Sequence, residues 1–146
     1  MSSYIPAELR RLVRTRARGL CEYCLLHEDN TYLGNAVDHV VSEKHGGQTV
    51  EDNLAFSCQP CNRRKGSDVA SVVPGSDGVV RFFNPRRDKW SDHFALVGFE
   101  IVGITPIGEV TARILDFNSP VRVEERQVLM ERGRFPSADA APIIRG

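Results

Sequence analysis

Two Cys-x-x-Cys pairs constrain this chain more than any other feature. The first pair is Cys21 and Cys24, the second is Cys58 and Cys61, and residues 25–57 lie between them. Paired cysteines at such a separation are typical of a tetrahedral four-thiolate zinc site. Because all four ligands would come from the protein, the metal would have no open coordination position. The pattern therefore predicts a structural Zn²⁺ ion that supports folding rather than chemistry.

The other reading of Cys21-Glu-Tyr-Cys24 is a redox pair of the thioredoxin type, and the second pair argues against it. The residues that follow Met1 lack the basic and apolar regions of a signal peptide. No apolar run in the sequence is long enough to span a bilayer. We therefore expect a cytoplasmic protein without a membrane partner, whose cysteines bind metal rather than form disulfides.

The charges are balanced overall but unevenly distributed. The formal net charge at pH 7 is +0. Residues 1–20 carry five Arg against one Glu, and residues 60–92 carry seven basic against four acidic residues. The segment between them is acidic. This arrangement suits a phosphodiester substrate better than the net charge suggests, although solvated helix faces would also explain it.

A helix is predicted over residues 6–20, with Pro6 near its start and Gly19 at its end. Its apolar residues recur at helical spacing: Leu9, Leu12, Val13, Ala17 and Leu20. Arg14 and Arg18 lie on the other faces and are candidates for phosphate contacts, the alternative being a solvated face.

The segment between and around the cysteine pairs predicts a strand, a loop, a second strand and a helix. Residues 36–41 are a β-branched run, Gly46-Gly47 allows a turn, and residues 54–57 return as a strand. The helix begins near Cys58 with Pro60 in its first turn.

This segment resembles the HNH endonuclease family. The family pattern is Cys-x-x-Cys, Asp-His, Gly-Gly, Asn-Leu and then Cys-x-x-Cys-(His or Asn)-x-x-Lys. Residues 21–66 carry these features in order, as Cys21 to Cys24, Asp38-His39, Gly46-Gly47, Asn53-Leu54 and Cys58 to Lys65. Asn62 replaces the His that gives the family name its third letter, as in the HNN subset. The resemblance implies a ββα-metal fold.

The resemblance also implies a role for each of four polar residues. His39 matches the general base, for which a neutral imidazole is suited near pH 7. Asn53 matches the residue that orients the base. Asp38 and Asn62 match the ligands of a catalytic divalent cation, and their hard oxygens favour Mg²⁺ or Mn²⁺. Glu43 is a weaker candidate for a water-mediated contact with that cation.

Three basic residues follow on the predicted helix, and the pattern favours contact with nucleic acid for all of them: Arg63, Arg64 and Lys65. Farther along, Arg86, Arg87 and Lys89 lie close to Phe83 and Trp90. That group could bind a phosphate backbone and stack a base, or it could be a core Trp beside a solvated turn.

The second half of the chain predicts mostly β-structure. Strands are expected at 79–83, 94–97, 100–104 and 110–115, with 105–108 as a turn between the last two. Ser119 and Pro120 predict the start of a helix that ends near Gly133. Residues 66–78 predict a linker, and residues 135–146 a flexible tail.

We therefore predict an α+β protein made of three parts. An HNH nuclease domain with zinc knuckles spans 6–68, a strand-rich extension with a C-terminal helix spans 69–134, and a tail spans 135–146. The main hypothesis is a metal-dependent endonuclease that acts on DNA. The alternatives are a non-catalytic, zinc-stabilised nucleic-acid-binding module and a zinc domain that binds protein through residues 94–132.

Overall fold

A computed structural model describes residues 4–146 of the chain. It divides into two compact units, Met1–Val69 and Ala70–Gly146. The architecture is α+β, with helices and three separate two-stranded antiparallel sheets in the described residues. The predicted fold class is therefore confirmed, while the three predicted domain boundaries remain predictions.

The first unit is built around one β-hairpin and two helices. Strands β1 and β2 pair antiparallel, from Asn35 opposite Cys58 to His39 opposite Leu54. Both helices, α1 and α2, pack against this hairpin. In order, the elements are α1 (Ala7–Arg16), β1 (Asn35–His39), β2 (Leu54–Cys58) and α2 (Gln59–Lys65), with 3₁₀ turns at Glu28–Asn30, Glu43–His45 and Glu51–Asn53. This is the strand, strand, helix order expected from the sequence.

The core of the first unit lies between α1 and the hairpin. Val13 of α1 and Leu54 of β2 are fully buried, and Ile5, Ala17 and Phe56 complete the cluster. Helix α1 ends earlier than predicted, because Arg18 and Gly19 adopt positive φ angles of 55° and 74°. Such left-handed residues close a helix and turn the chain toward the first cysteine pair.

The second unit contains two β-hairpins and four helices. The elements are β3 (Ala70–Val72), β4 (Val79–Arg81), α3 (Trp90–His93), β5 (Phe94–Val97), β6 (Glu100–Gly103), α4 (Pro106–Ile114), α5 (Pro120–Glu131) and α6 (Ala141–Arg145). Its buried apolar residues form the core: Phe82, Phe83, Trp90, Phe94, Ile101, Val110, Leu115, Phe117, Phe135 and Ala140. The Phe94 ring lies 5.1 Å from that of Trp90 and 5.3 Å from that of Phe83, centroid to centroid. Trp90 is therefore a core residue, and the alternative in which it stacks a base is wrong.

The strand predicted over residues 110–115 is wrong, because residues 110–114 belong to α4 and Leu115 is its C-cap. Thr105 caps the helix by accepting a hydrogen bond from the Gly108 amide at 3.0 Å, and Pro106 occupies the first turn. Position 108 has no room for a side chain, since a Cβ atom there would lie 1.9 Å from the His93 carbonyl oxygen. The Thr-Pro-Ile-Gly segment is thus a helix start rather than a turn between strands.

Two further segments are more structured than their composition predicts. Strand β3 lies within the predicted linker and pairs with β4. The predicted tail contains α6, and its Phe135 and Ala140 are buried. In the tail, two buried apolar residues outweigh the Ser, Gly and Pro around them, whereas β3 forms through its backbone pairing with β4.

Candidate metal centre and catalytic site

The four cysteines converge on one buried point. Their Sγ atoms all lie within 4.8 Å of one another, and those of Cys24 and Cys58 are 3.6 Å apart. Tetrahedral Zn²⁺ with Zn–S bonds of about 2.3 Å separates its sulfur ligands by about 3.8 Å. The donor set and the spacing therefore fit a four-thiolate zinc ion. This is the structural zinc site that the sequence predicts.

The local backbone explains how the two pairs meet. Cys21 and Cys24 lie in a knuckle in which the Leu25 amide donates to the Cys21 carbonyl at 2.8 Å. The knuckle is attached to β2 through Glu22, whose amide donates to the Phe56 carbonyl and whose carboxylate accepts from the Phe56 amide. Cys58 ends β2 and Cys61 lies in the first turn of α2. The knuckle, strand and helix thus share one metal site.

The surroundings of Cys58 and Cys61 favour the neutral thiol at these two positions. Hydrogen bonding with the Cys21 and Cys24 thiols raises the pKa of Cys58, and burial raises the pKa of Cys61. A bound dication reverses this tendency, because coordinating thiols lose their protons. Burial, followed by the nearby charge of Asp38, also raises the pKa of Tyr23. Tyr23 is thus a buried residue of the cysteine knuckle that lies close to Asp38.

Asp38 and His39 are the last two residues of β1, and they have different neighbours. Neighbouring side chains on a strand point to opposite faces. The Asp38 carboxylate contacts Nζ of Lys65 on α2 at 3.3 Å. The His39 ring instead turns to the loop after β1, where its Nε2 lies 2.9 Å from Oγ1 of Thr49. The carboxylate is thus associated with the helix and the imidazole with the loop.

Asn53 holds the loop between the two strands. Its Oδ1 accepts from the Val41 amide, and its Nδ2 donates to the carbonyls of Val41 and Gln48, each at 2.9 Å. A Cβ atom at position 47 would lie 1.7 Å from the Val41 carbonyl oxygen, so the loop requires Gly47 at this close approach. The sequence predicts that Asn53 orients His39. In the structure its hydrogen bonds go to the loop that carries Thr49.

Asn62 lies on α2, one turn before Lys65. Residues three apart on a helix share a face, with Cβ atoms about 5–6 Å apart. Because Lys65 contacts Asp38, the face of α2 that carries Asn62 is turned toward the end of β1. Asp38 and Asn62 are partly exposed and offer one carboxylate and one amide oxygen. This donor set fits a hard divalent cation that keeps several water ligands.

The basic candidates for nucleic-acid contact occupy unlike environments. Arg63 and Arg64 are exposed on α2, and Arg18 is exposed after α1. Arg14 is also exposed but forms an ion pair with Glu28 at 2.9 Å. Lys65 differs from all of these, because only 2% of its side chain is accessible. Its prediction as a surface contact is corrected, since a buried ammonium cannot reach a phosphate.

Sequence reasoning missed Thr49 and the buried position of Lys65. Thr49 lies ten residues after His39, in a loop whose path the sequence does not define. A signal for Lys65 exists: the position follows Cys61 by four residues, and residues four apart share a helix face. The helix face that carries the zinc ligand Cys61 must point inward. Lys65 shares that face, so its side chain is expected to point inward as well.

Part of the first unit matches a family model. Residues 21–68 match the family model described as HNH endonuclease. Neither the curated proteins nor the solved structures that were compared include a match. No helix among residues 4–146 has the length and apolar character needed to cross a membrane. An HNH domain indicates nuclease or nucleic-acid-binding activity.

Proposed function

We propose that this chain, whose residues 21–68 form an HNH-type domain, is a metal-dependent DNA endonuclease. The observation that carries the proposal is the pairing of Asp38 and His39 at the end of β1, with Lys65 of α2 in contact with Asp38. Asn62 precedes Lys65 by three residues on α2, which supports the proposal that it acts beside this pair. A non-catalytic binding module would have no need of this set of a carboxylate, an imidazole and an amide.

Each residue takes a distinct role in the proposed reaction. His39 accepts the proton of the attacking water, and its contact with Thr49 restricts how the ring turns. Asp38 and Asn62 would hold the divalent cation, which when bound acts as a Lewis acid on the phosphate and the leaving oxygen. The zinc ion supports the hairpin and helix that carry these residues. Arg63 and Arg64, exposed on α2, are suited to contact the DNA backbone.

The test of the function is cleavage of supercoiled plasmid by the purified protein with Mg²⁺ or Mn²⁺, comparing wild type with His39→Ala. General-base catalysis is typically worth ~10²–10⁴-fold, so cleavage should fall by about that factor. DNA affinity depends mainly on phosphate contacts and should be retained in a gel shift without added divalent ion. Zinc content is measured for both proteins to show that the fold persists. A wild type that shifts DNA but never cuts it would support the binding module instead.

Asn62 provides a second test, which concerns the metal. Asn62→Ala should lose cleavage in Mg²⁺, because one of two protein oxygens is removed. Asn62→His should recover cleavage with Ni²⁺, since imidazole suits that ion better than Mg²⁺. If Asn62→Ala cleaves at the wild-type rate in Mg²⁺, Asn62 is not a metal ligand. The nuclease hypothesis would then be decided by the His39→Ala experiment.

A further inference from the structure

Lys65 is buried, unlike the other basic residues of α2. Its side chain is 2% accessible, whereas its neighbours Arg63 and Arg64 are exposed on the same helix. Burying an ammonium group is costly unless it is paired and hydrogen-bonded. If the only role of Lys65 were to add positive charge to the end of α2, its ammonium group could stay in water, as the side chains of Arg63 and Arg64 do.

The partners of Lys65 are the last two residues of β1. Its Nζ lies 3.3 Å from Oδ2 of Asp38 and donates to the backbone carbonyl of His39 at 2.9 Å. One ammonium therefore contacts both the proposed metal ligand and the backbone of the proposed base. Through these two bonds the C-terminal turn of α2 fixes the end of the strand that carries both.

The same contact also affects the electrostatics of a cation site. A divalent ion at Asp38 would lie within a few ångströms of the Lys65 ammonium, where like charges repel strongly. The ammonium contacts Oδ2, and the Asp38 side chain keeps 22% of its surface accessible to solvent. A cation would therefore bind a carboxylate that already has one positively charged partner.

From these contacts we propose that Lys65 is a positioning residue with two opposed effects. It orients Asp38 and the end of β1 for catalysis, and it weakens the binding of the divalent cation to Asp38. This inference rests on the proposed function, because it takes Asp38 as a ligand of that cation. It gives Lys65 a role in the site that differs from contact with DNA.

The experiment compares Lys65→Met with wild type in three measurements: Mn²⁺ affinity of the protein alone by electron paramagnetic resonance, plasmid cleavage at saturating Mn²⁺, and DNA binding without added divalent ion. Removing the ammonium should tighten Mn²⁺ binding about tenfold, because a nearby positive charge is lost. Cleavage should nevertheless fall at least ~10-fold, because Asp38 is no longer held in place. DNA binding should stay within about twofold, since a buried group makes no phosphate contact.

Arg63→Met is the matched control, since it removes a positive charge from the same helix at an exposed position. Its Mn²⁺ affinity should match that of wild type, because solvent and salt screen an exposed charge. Its DNA binding should weaken, which is the effect that Lys65→Met must not show. Unchanged or weaker Mn²⁺ binding in Lys65→Met would overturn the inference, and so would loss of DNA binding.

A second neutral variant, Lys65→Gln, covers the case in which Lys65→Met does not fold. It should also tighten Mn²⁺ binding while keeping its zinc. Loss of zinc from both variants would show that Lys65 is needed only for folding of the first unit, and it would overturn the inference. If Lys65→Met tightens Mn²⁺ binding as expected but the wild type never cuts DNA, the effect of Lys65 on the cation is supported. The nuclease function is then rejected. Absence of Mn²⁺ binding in wild type would reject Asp38 as a ligand, and the inference with it.

Discussion

The Nε2 atom of His39 lies 2.9 Å from the Oγ1 atom of Thr49, ten residues away in the loop that joins the two strands of the hairpin. The contact joins the side chain of the proposed base to a loop residue that the sequence pattern does not single out. If Thr49 accepts from an Nε2–H group, the lone pair of the neutral ring lies on Nδ1. Thr49 would then determine both the orientation and the tautomer of His39.

Thr49→Val should therefore lower plasmid cleavage, while Thr49→Ser should restore most of it. Valine matches the shape of threonine but lacks the hydroxyl, and a hydrogen bond of this kind contributes about 0.5–1.5 kcal/mol, or roughly 2- to 13-fold in rate. Cleavage rates at saturating Mg²⁺ measure the effect, with melting temperature and zinc content as controls for folding. Equal rates for the valine and serine variants would show that the hydroxyl has no part in positioning His39.

Asn53→Ala tests how the middle asparagine acts. Its three hydrogen bonds hold Val41 and Gln48, and Gln48 precedes Thr49, so its effect on His39 should pass through the loop. Removing them should destabilise the first unit by about 1–3 kcal/mol and reduce cleavage as well. The double variant with Thr49→Val should lose less cleavage than the two single losses combined, because both act on one loop. Additive losses would indicate that Asn53 and Thr49 act on His39 separately.

Much of the fold of the first unit could be predicted from its sequence, because the cysteine pairs have a specific chemical use. Two Cys-x-x-Cys pairs at this separation are typical of a zinc site, so their spacing predicts the knuckle, the end of β2 and the start of α2. The Asp-His pair lies at the end of β1 because the loop that follows the strand is held by the hydrogen bonds of Asn53 to Val41 and Gln48. The roles expected of Asp38 and His39, by contrast, come from the resemblance to the HNH family and not from residue spacing.

The errors arise where tertiary contacts outweigh local preference. Val110 and Thr111 favour a strand by residue type, yet both are buried in α4. The Thr111 hydroxyl donates to the Ile107 carbonyl and accepts from the Phe83 amide, which compensates for its poor helix propensity. Lys65 is the converse case, since a charged residue predicts a surface position, and only its contacts with Asp38 and His39 explain its burial.

The stability of the second unit should fall in acid through Asp88. Hydrogen bonds from Arg81, at 2.6 and 2.9 Å, hold the pKa of the Asp88 carboxyl below its ordinary value of 3.8. A carboxyl with a lowered folded-state pKa contributes stability above its unfolded pKa and loses it as pH falls through the folded value. Wild type should therefore lose more stability than Asp88→Asn between pH 5 and pH 2, values that bracket the ordinary carboxyl range.

Trp90 provides the measurement, because it is the chain's one tryptophan and is buried in the second unit. Its fluorescence during denaturant unfolding follows that unit, whereas acid release of zinc affects the cysteine site of the first unit. Equal acid sensitivity of wild type and Asp88→Asn would contradict the assigned role. The half-exposed Arg81 limits the size of the effect, since solvent screens its charge.

Removal of zinc should unfold the first unit rather than only inactivate it. The four buried thiols would fill all four coordination positions of a zinc ion. Zinc binding in small zinc domains contributes on the order of ~10 kcal/mol to folding. Cys58→Ser should therefore yield protein that aggregates or is cleaved within residues 4–69 by a protease that leaves wild type intact. A strong chelator should have the same effect on wild type, and added Zn²⁺ should reverse it for wild type but not for Cys58→Ser. A zinc-free Cys58→Ser protein that resists protease and cuts DNA would show that the cysteine site is not needed for the fold.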